Sequence, residues 1–317
     1  MNPPTDPRLT LFLVHGRGVQ PDAAELTASW ARALAHGLAR DREMDLGAVR
    51  IDMRYYADLT APLDSNAAKF DPVLDRADRE NAFTQLAALK AKSFRRSRYE
   101  DVPGQTPVKE FLADLGAPVG RLLGLARWRL AHIYPELTAY WQDAELAAAI
   151  RSRIVPALGE SLRRGDHIMV LSHGIGSVFC YDAFWEASQQ VSSASQRVHS
   201  WVTLGSPLSD DDVRHRLGGQ PAGFPNLLLN WYNVAAEDDP ICHDETVADD
   251  FKAMLRERHL SRIEDYHIYN LTERYGASDP HDVLGYLIHP RMARLLGDWI
   301  TAFSGTSAPA PGASDRQ

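Results

Sequence analysis

The chain has 317 residues, of which 44% are hydrophobic and 24% are charged, with a formal net charge of −8 and a pI of about 5.8. This length suits one doubly wound α/β domain. The excess of acidic residues argues against binding to nucleic acid, because proteins that bind nucleic acid usually present a basic face. The two cysteines, the lack of a signal-peptide pattern and the lack of a long apolar run together predict a cytoplasmic protein without a transmembrane segment.

Strand-like and helix-like patterns alternate along the chain. An apolar run predicts a strand over Leu9–Val14, and a four-residue spacing of large apolar side chains predicts a helix over residues 23–40. Further strands are predicted over residues 49–56, 167–171, 198–204, 227–234 and 266–271, and further helices over residues 144–164, 175–188 and 292–303. This alternation implies right-handed crossovers and a mostly parallel, doubly wound sheet.

One long region interrupts the alternation. Residues 58–141 contain helical stretches and proline breaks but no strand pattern, and a connection of this length is too long to lack structure in a compact domain. We predict a helical cap inserted into a single domain that spans residues 7–304. Its basic segment, residues 90–98, predicts a solvated surface, with a site for an anionic head group or an acidic partner as the alternative. The small, polar and proline-rich residues 305–317 predict a disordered tail.

The most informative stretch is residues 168–177, IMVLSHGIGS, in which an apolar strand runs through a tight turn into a helix. In the elbow G-x-S-x-G, small residues flank the nucleophile because the turn is sharp and the helix packs closely on the strand. Ser172, Gly174 and Gly176 occupy the three fixed positions here, with His173 before the central one. The stretch resembles the nucleophile elbow of α/β-hydrolases of the lipase and esterase class, with Gly174 in the place of the serine.

A second motif supports this resemblance. His15-Gly16-Arg17-Gly18 directly follows the first strand and is similar to the HGxG oxyanion loop of the family. The resemblance implies an oxyanion hole made by backbone N–H groups of Arg17 and Gly18 together with that of Ile175, which follows the elbow.

The family's acid and histidine follow the nucleophile in chain order. Asp239, which precedes Pro240, matches the acid position of the family's loop after a strand, with Asp238 as the alternative. His281 precedes a Gly-Tyr-Leu helix start as the family's histidine does, and His289 is its main rival. The resemblance therefore implies that Asp239 orients His281 as the base.

The glycine at position 174 leaves several interpretations of function open. One is a carboxylic-ester hydrolase, acting on a small acyl ester or a lipid-like ligand, whose activity is weak or lost. Another is a pseudohydrolase that binds a ligand or a protein partner, and a third is a serine-to-glycine replacement made in the laboratory. Ser206, in a Thr-Leu-Gly-Ser-Pro turn, is the alternative nucleophile. No spacing typical of a metal or cofactor site is present, and oligomeric state is not predicted.

Overall fold

A computed structural model describes residues 8–64, 67–104, 135–190, 196–220, 223–242 and 245–304. Six strands form one sheet in the order β2-β1-β3-β4-β5-β6, and every neighbouring pair is parallel. The strands are β1 (Leu9–Val14), β2 (Val49–Arg54), β3 (His167–His173), β4 (Val198–Leu204), β5 (Leu228–Ala236) and β6 (Arg262–Ile268). A separate antiparallel pair consists of β7 (Glu273–Arg274) and β8 (Ala277–Ser278).

Helices connect the strands. They are α1 (Ala23–Arg42), α2 (Ala57–Thr60), α3 (Pro72–Ala87), α4 (Arg96–Tyr99), α5 (Pro135–Gln142), α6 (Ala144–Ser152), α7 (Val155–Arg164), α8 (Gly176–Ser188), α9 (Asp211–Arg214), α10 (Lys252–Arg256), α11 (Val283–Leu287) and α12 (Pro290–Phe303). Three short 3₁₀ turns cover Ala61–Leu63, Ala67–Lys69 and Ala91–Ser93.

The sheet is buried on both faces, which explains the continuous apolar runs in its central strands. In β1, Phe12 and Val14 pack in one core with helices such as α7 and α8, whereas Leu11 and Leu13 pack in a second core with α1 and α12. A parallel six-stranded sheet with helices on both faces is the architecture of an α/β-hydrolase fold. The predicted fold class is therefore confirmed.

Several element boundaries differ from the prediction. The helix predicted over residues 144–164 is two helices, α6 and α7, because Pro156 lies in the first turn of α7 and its ring prevents a continuous helix. Strand β6 begins at Arg262, before the predicted start, because it is an edge strand with polar residues that an apolar pattern does not detect. Strand β2 ends at Arg54, two residues before the predicted end.

In the region predicted as a cap, the described residues contain helices α2 to α5 and the 3₁₀ turns, without a strand. Residues 105–134 lie outside the described part of the chain, as do residues 305–317, the predicted tail. The basic segment, residues 90–98, forms a 3₁₀ turn and the start of α4. Across the described ranges, no helix combines the length and the hydrophobicity needed to cross a bilayer.

Candidate active site

The predicted elbow is a tight turn between β3 and α8. Gly174 has a φ of +52°, a left-handed conformation that L residues adopt only under strain, and its N–H donates to the Leu204 carbonyl at 2.9 Å. A Cβ built on Gly174 would lie 3.1 Å from Nε2 of His281. The backbone at position 174 thus turns sharply in a left-handed conformation, and a side chain there would point at an imidazole.

The second glycine of the elbow is required by close packing. A Cβ on Gly176 would collide with the carbonyl oxygen of His15, the first residue of the HGRG loop. The start of α8 therefore lies directly against that loop, which brings the elbow and the predicted oxyanion residues to the same edge of the sheet.

Asp239 and His281 form a hydrogen-bonded pair, as the resemblance predicts. His281 Nδ1 lies 2.9 Å from Oδ2 of Asp239, whose side chain is fully buried. The Tyr286 hydroxyl donates to the same oxygen at 2.6 Å, and the Ile241 N–H donates to Oδ1 at 2.9 Å. Three donors therefore fix the carboxylate and direct one of its oxygens at the imidazole.

The pairing of these two side chains depends on a glycine in the neighbouring strand end. Gly205 has a φ of +54°, and a Cβ there would lie 2.5 Å from Asp239 Oδ2 and 3.1 Å from His281 Nδ1. Only a residue without a side chain leaves room for the acid and the histidine to meet at this point.

The electrostatics of the pair favour a charged imidazole. Burial lowers the pKa of His281. The charge of Asp239 and its hydrogen bond raise that pKa by more than burial lowers it, so that the net shift is upward. His281 Nε2 is buried and has no hydrogen-bond partner among the described residues. Because Nδ1 donates to Asp239, the neutral ring presents an unprotonated Nε2 toward position 174.

His173 supports His281 from the elbow itself. The two rings stack with centroids 4.4 Å apart, and His173 Nε2 donates to the His281 carbonyl at 2.8 Å. Burial and the neighbouring His281 lower the pKa of His173 well below its usual value, so this ring is neutral. A Cβ on Gly16 would lie 2.6 Å from His173 Nδ1, which explains the glycine of the HGRG loop.

The HGRG loop is held by a buried histidine. Tyr56 donates its N–H to His15 Nε2 at 3.0 Å, while His15 Nδ1 lies 2.9 Å from the Gly16 carbonyl. Burial lowers the pKa of His15 to about 4. A neutral imidazole with its proton on Nδ1 satisfies both contacts and fixes the loop against the segment that follows β2.

One predicted oxyanion residue already has an acidic partner. The N–H of Gly18 donates to Oε1 of Glu136 at 3.0 Å, and Glu136 in α5 is only 1% exposed. Its second carboxylate oxygen has no hydrogen-bond partner within the described ranges. The other predicted donors, Arg17 and Ile175, lie in the same loop and at the start of α8. The contact between Gly18 and Glu136 was not predicted, because the two residues are distant in sequence.

The alternative acid and base residues lie elsewhere. Asp238 has a φ of +58°, and its carboxylate accepts from the Tyr99 hydroxyl at 3.2 Å. His289 is the N-cap of α12, and its Nδ1 accepts the N–H of Arg291 at 3.0 Å. The structure brings Asp239 and His281 together and neither of these alternatives.

The nearby serines are engaged in hydrogen bonds of the core. Ser172 Oγ accepts from the indole of Trp201 at 2.9 Å and lies 3.0 Å from Ser177 Oγ. Ser206 is 1% exposed, and its hydroxyl accepts the N–H of Leu208 at 3.3 Å. His281 Nε2 faces position 174 and is bonded to none of these serines.

A cleft of about 180 Å³ opens beside His281, between the HGRG loop, α1, α3 and the segment before α11. Arg274 spans its wall through ion pairs to Asp75 at 2.8 Å and Asp282 at 2.7 Å, and Arg79 also pairs with Asp75. No local motif in the sequence links these residues, so that their cluster was not predicted. Within the described chain, no cluster of three potential metal ligands is present.

Few known proteins are similar to this chain. No family model matches the chain, and no curated protein matches it. Among solved structures it is similar to dienelactone hydrolase from Anabaena variabilis, with 13% identity over 94% of this chain and 88% of that chain. The TM-score is 0.35, a similarity too low to bear on function.

Proposed function

We propose that this protein is a carboxylic-ester hydrolase in which His281 activates water directly, because the elbow carries glycine where a serine would form an acyl-enzyme. The observation that carries the proposal is the unpartnered Nε2 of His281, 3.1 Å from the Cβ position of residue 174. A base that is oriented by a buried carboxylate and aimed at the nucleophile position needs only a hydroxyl-bearing group in front of it.

In the proposed reaction, His281 Nε2 takes a proton from a water molecule in front of Gly174. The resulting hydroxide adds to the ester carbonyl carbon, and backbone N–H groups of Arg17 and Ile175 stabilise the oxyanion. Collapse of this intermediate breaks the bond to the alcohol oxygen, which receives the proton from the imidazolium. Asp239 stabilises the imidazolium throughout. The small cleft, with charged residues on its wall, favours a small acyl ester over a long-chain lipid.

Turnover of p-nitrophenyl acetate tests this proposal. His281→Ala should lower the rate on the order of 10²-fold, the contribution typical of a general base, whereas His215→Ala, at an exposed histidine, should not change it. Gly174→Ser should raise the rate on the order of 10²-fold or more, since a triad then becomes complete. Wild-type turnover that is insensitive to His281→Ala would contradict the proposed base.

A second candidate function is a ligand-binding pseudohydrolase, and the contact of Glu136 favours it. A carboxyl group already accepts the N–H of Gly18, so an oxyanion at this donor would have to displace that buried side chain. Such an arrangement suits a protein that retains the fold and the cleft but not the reaction.

Glu136→Gln in the Gly174→Ser background separates the two candidates. If the protein is a hydrolase, replacing the carboxyl group of Glu136 by a neutral amide should remove a repulsion of about 1 kcal/mol with the oxyanion. Turnover should then rise roughly fivefold. The matched change Glu145→Gln, at an exposed residue of α6, should have no effect. A double variant that stays as inactive as buffer would favour the pseudohydrolase.

A further inference from the structure

A second cavity lies at the opposite end of the sheet. It has a volume of about 250 Å³, and we call it the distal cavity; its lining includes His199, Tyr232, Tyr266, Arg291, Arg294 and Trp299. The first residues of strand β4 line the distal cavity, and the residue that follows the end of this strand lies at the candidate active site. At about 3.3 Å per residue, this separates the two places by roughly 15 Å.

The distal cavity carries an excess of positive charge in an acidic chain. Arg291 and Arg294 have no carboxylate within ion-pair distance in the described part of the structure. The one carboxylate on the wall, Asp298, is paired with Arg42 at 2.8 Å. Two arginines on the wall of this space thus have no carboxylate partner among the described residues, and a guanidinium group is suited to bind a carboxylate or a phosphate.

Two other side chains that line the distal cavity, those of Trp299 and His199, also offer hydrogen-bond donors. The indole N–H of Trp299 is buried, and no described residue accepts from it. His199 Nδ1 accepts the N–H of Ile168 at 3.2 Å, so the neutral ring carries its proton on Nε2. Burial and the neighbouring His167 lower the pKa of His199 to about 4, which keeps the ring neutral.

Aromatic rings form the rest of the lining. Tyr232 and Tyr266 stack at a centroid distance of 6.3 Å, and the Arg291 guanidinium lies 4.1 Å from the Tyr266 ring centroid. Such rings and a stacked guanidinium offer flat surfaces to a planar ligand. The cavity is slightly smaller than typical drug-sized pockets of roughly 300–1,000 Å³, so that it suits a molecule of one or two rings.

We propose that the distal cavity binds a small molecule that joins a phosphate or carboxylate group to an aromatic ring, with the anion on Arg291 and Arg294 and the ring against the tyrosines. Within the described part of the chain, the unpaired arginines and the indole N–H all lack a hydrogen-bond acceptor, which an anionic group would provide. The aromatic walls offer a surface on which a ring of the same ligand could stack. The proposal is independent of ester hydrolysis, because none of these residues belongs to the candidate active site.

Binding of 1-naphthyl phosphate to the full-length protein, followed by isothermal titration calorimetry, tests the proposal. It should bind at least about tenfold more tightly than inorganic phosphate, which lacks the ring, and than 1-naphthol, which lacks the anion. Equal affinity for the three probes, or no binding of 1-naphthyl phosphate at millimolar concentration, would overturn the proposal.

Charge reversal locates the site. Arg294→Glu changes an exposed residue on the wall of the cavity, and it should weaken binding at least about tenfold. Arg163→Glu, at an exposed arginine of α7, makes the same change in net charge and should leave the affinity unchanged. Trp299→Phe should also weaken binding, because it removes the indole N–H together with the five-membered ring that carries it. Equal losses in Arg294→Glu and Arg163→Glu would show non-specific attraction and overturn the proposal.

Discussion

The acid–base half and the nucleophile half of the candidate active site differ in completeness. Asp239 and His281 are held by a buried tyrosine, a backbone N–H and a stacked histidine, as a working base requires. The elbow keeps the left-handed backbone at Gly174 and the close packing at Gly176, but it carries no hydroxyl. Glycine adopts this backbone without strain, so the elbow differs from the acid–base half in offering no side chain to face the oriented imidazole.

The largest expected effect on the acid–base half comes from Gly205→Ala. The added methyl group would meet Asp239 Oδ2 in a left-handed backbone, and these two penalties should lower the free energy of unfolding by about 2–5 kcal/mol. Urea denaturation measures this loss. Gly159→Ala, in the middle of α7 with open space around it, should instead stabilise the protein by about 0.5–1 kcal/mol. Equal stability of the two variants would mean that Gly205 does not protect the pair.

Tyr286→Phe should have a smaller effect on stability and a specific one on His281. Loss of the hydroxyl removes a donor to a buried carboxylate and an acceptor for the Ala236 N–H, at a cost of about 1–3 kcal/mol. Because Oδ2 of Asp239 then serves His281 alone, the pKa of His281 should rise further.

Tyr140→Phe provides a matched control for this prediction. Tyr140 also donates to a buried carboxylate, that of Asp182, at 2.9 Å and in another part of the core. It should cost similar stability without moving the His281 titration in an NMR experiment. A shift of the His281 pKa in both variants, or in neither, would contradict a positioning role for Tyr286.

The smallest expected effect is the pH dependence of stability that arises from the ion pair between Asp239 and His281. The folded-state pKa of His281 is raised above its unfolded value of about 6.5, so the imidazolium form stabilises the native state. This contribution is complete below about pH 6.5 and is lost as pH rises through the folded pKa. Hydrolysis should change in the opposite sense over the same window, since a base must be neutral. Asp239→Asn should move the NMR titration of His281 to lower pH; an unchanged titration would refute the pairing.

Much of the fold could be predicted from the sequence because buried parallel strands are apolar throughout. Leu9–Val14 and the stretch that ends at the elbow were located in this way. Strand β6 was only partly located, since an edge strand exposes one face and mixes polar with apolar residues. The proline in the first turn of α7 was present in the sequence, but helical periodicity alone did not reveal the break.

The site could be predicted only where a local motif carries it. Motifs narrowed the acid to Asp238 or Asp239, and the left-handed backbone at Asp238 turns that side chain toward Tyr99. The contact of Glu136 with Gly18 joins residues 118 positions apart, and that of Tyr286 with Asp239 joins residues 47 apart. Such contacts depend on tertiary packing, and no pattern within a single element encodes them.

The most direct test of the central claim is covalent labelling by a fluorophosphonate, read by intact mass and peptide mapping. The wild-type chain should acquire no adduct at position 174, because glycine offers no hydroxyl. Gly174→Ser should be labelled at that position, and His281→Ala in the same background should abolish the label. Wild-type labelling that Ser206→Ala removes would instead place the nucleophile on the neighbouring strand end. A Gly174→Ser variant that folds but stays unlabelled would contradict the claim that only the serine is missing.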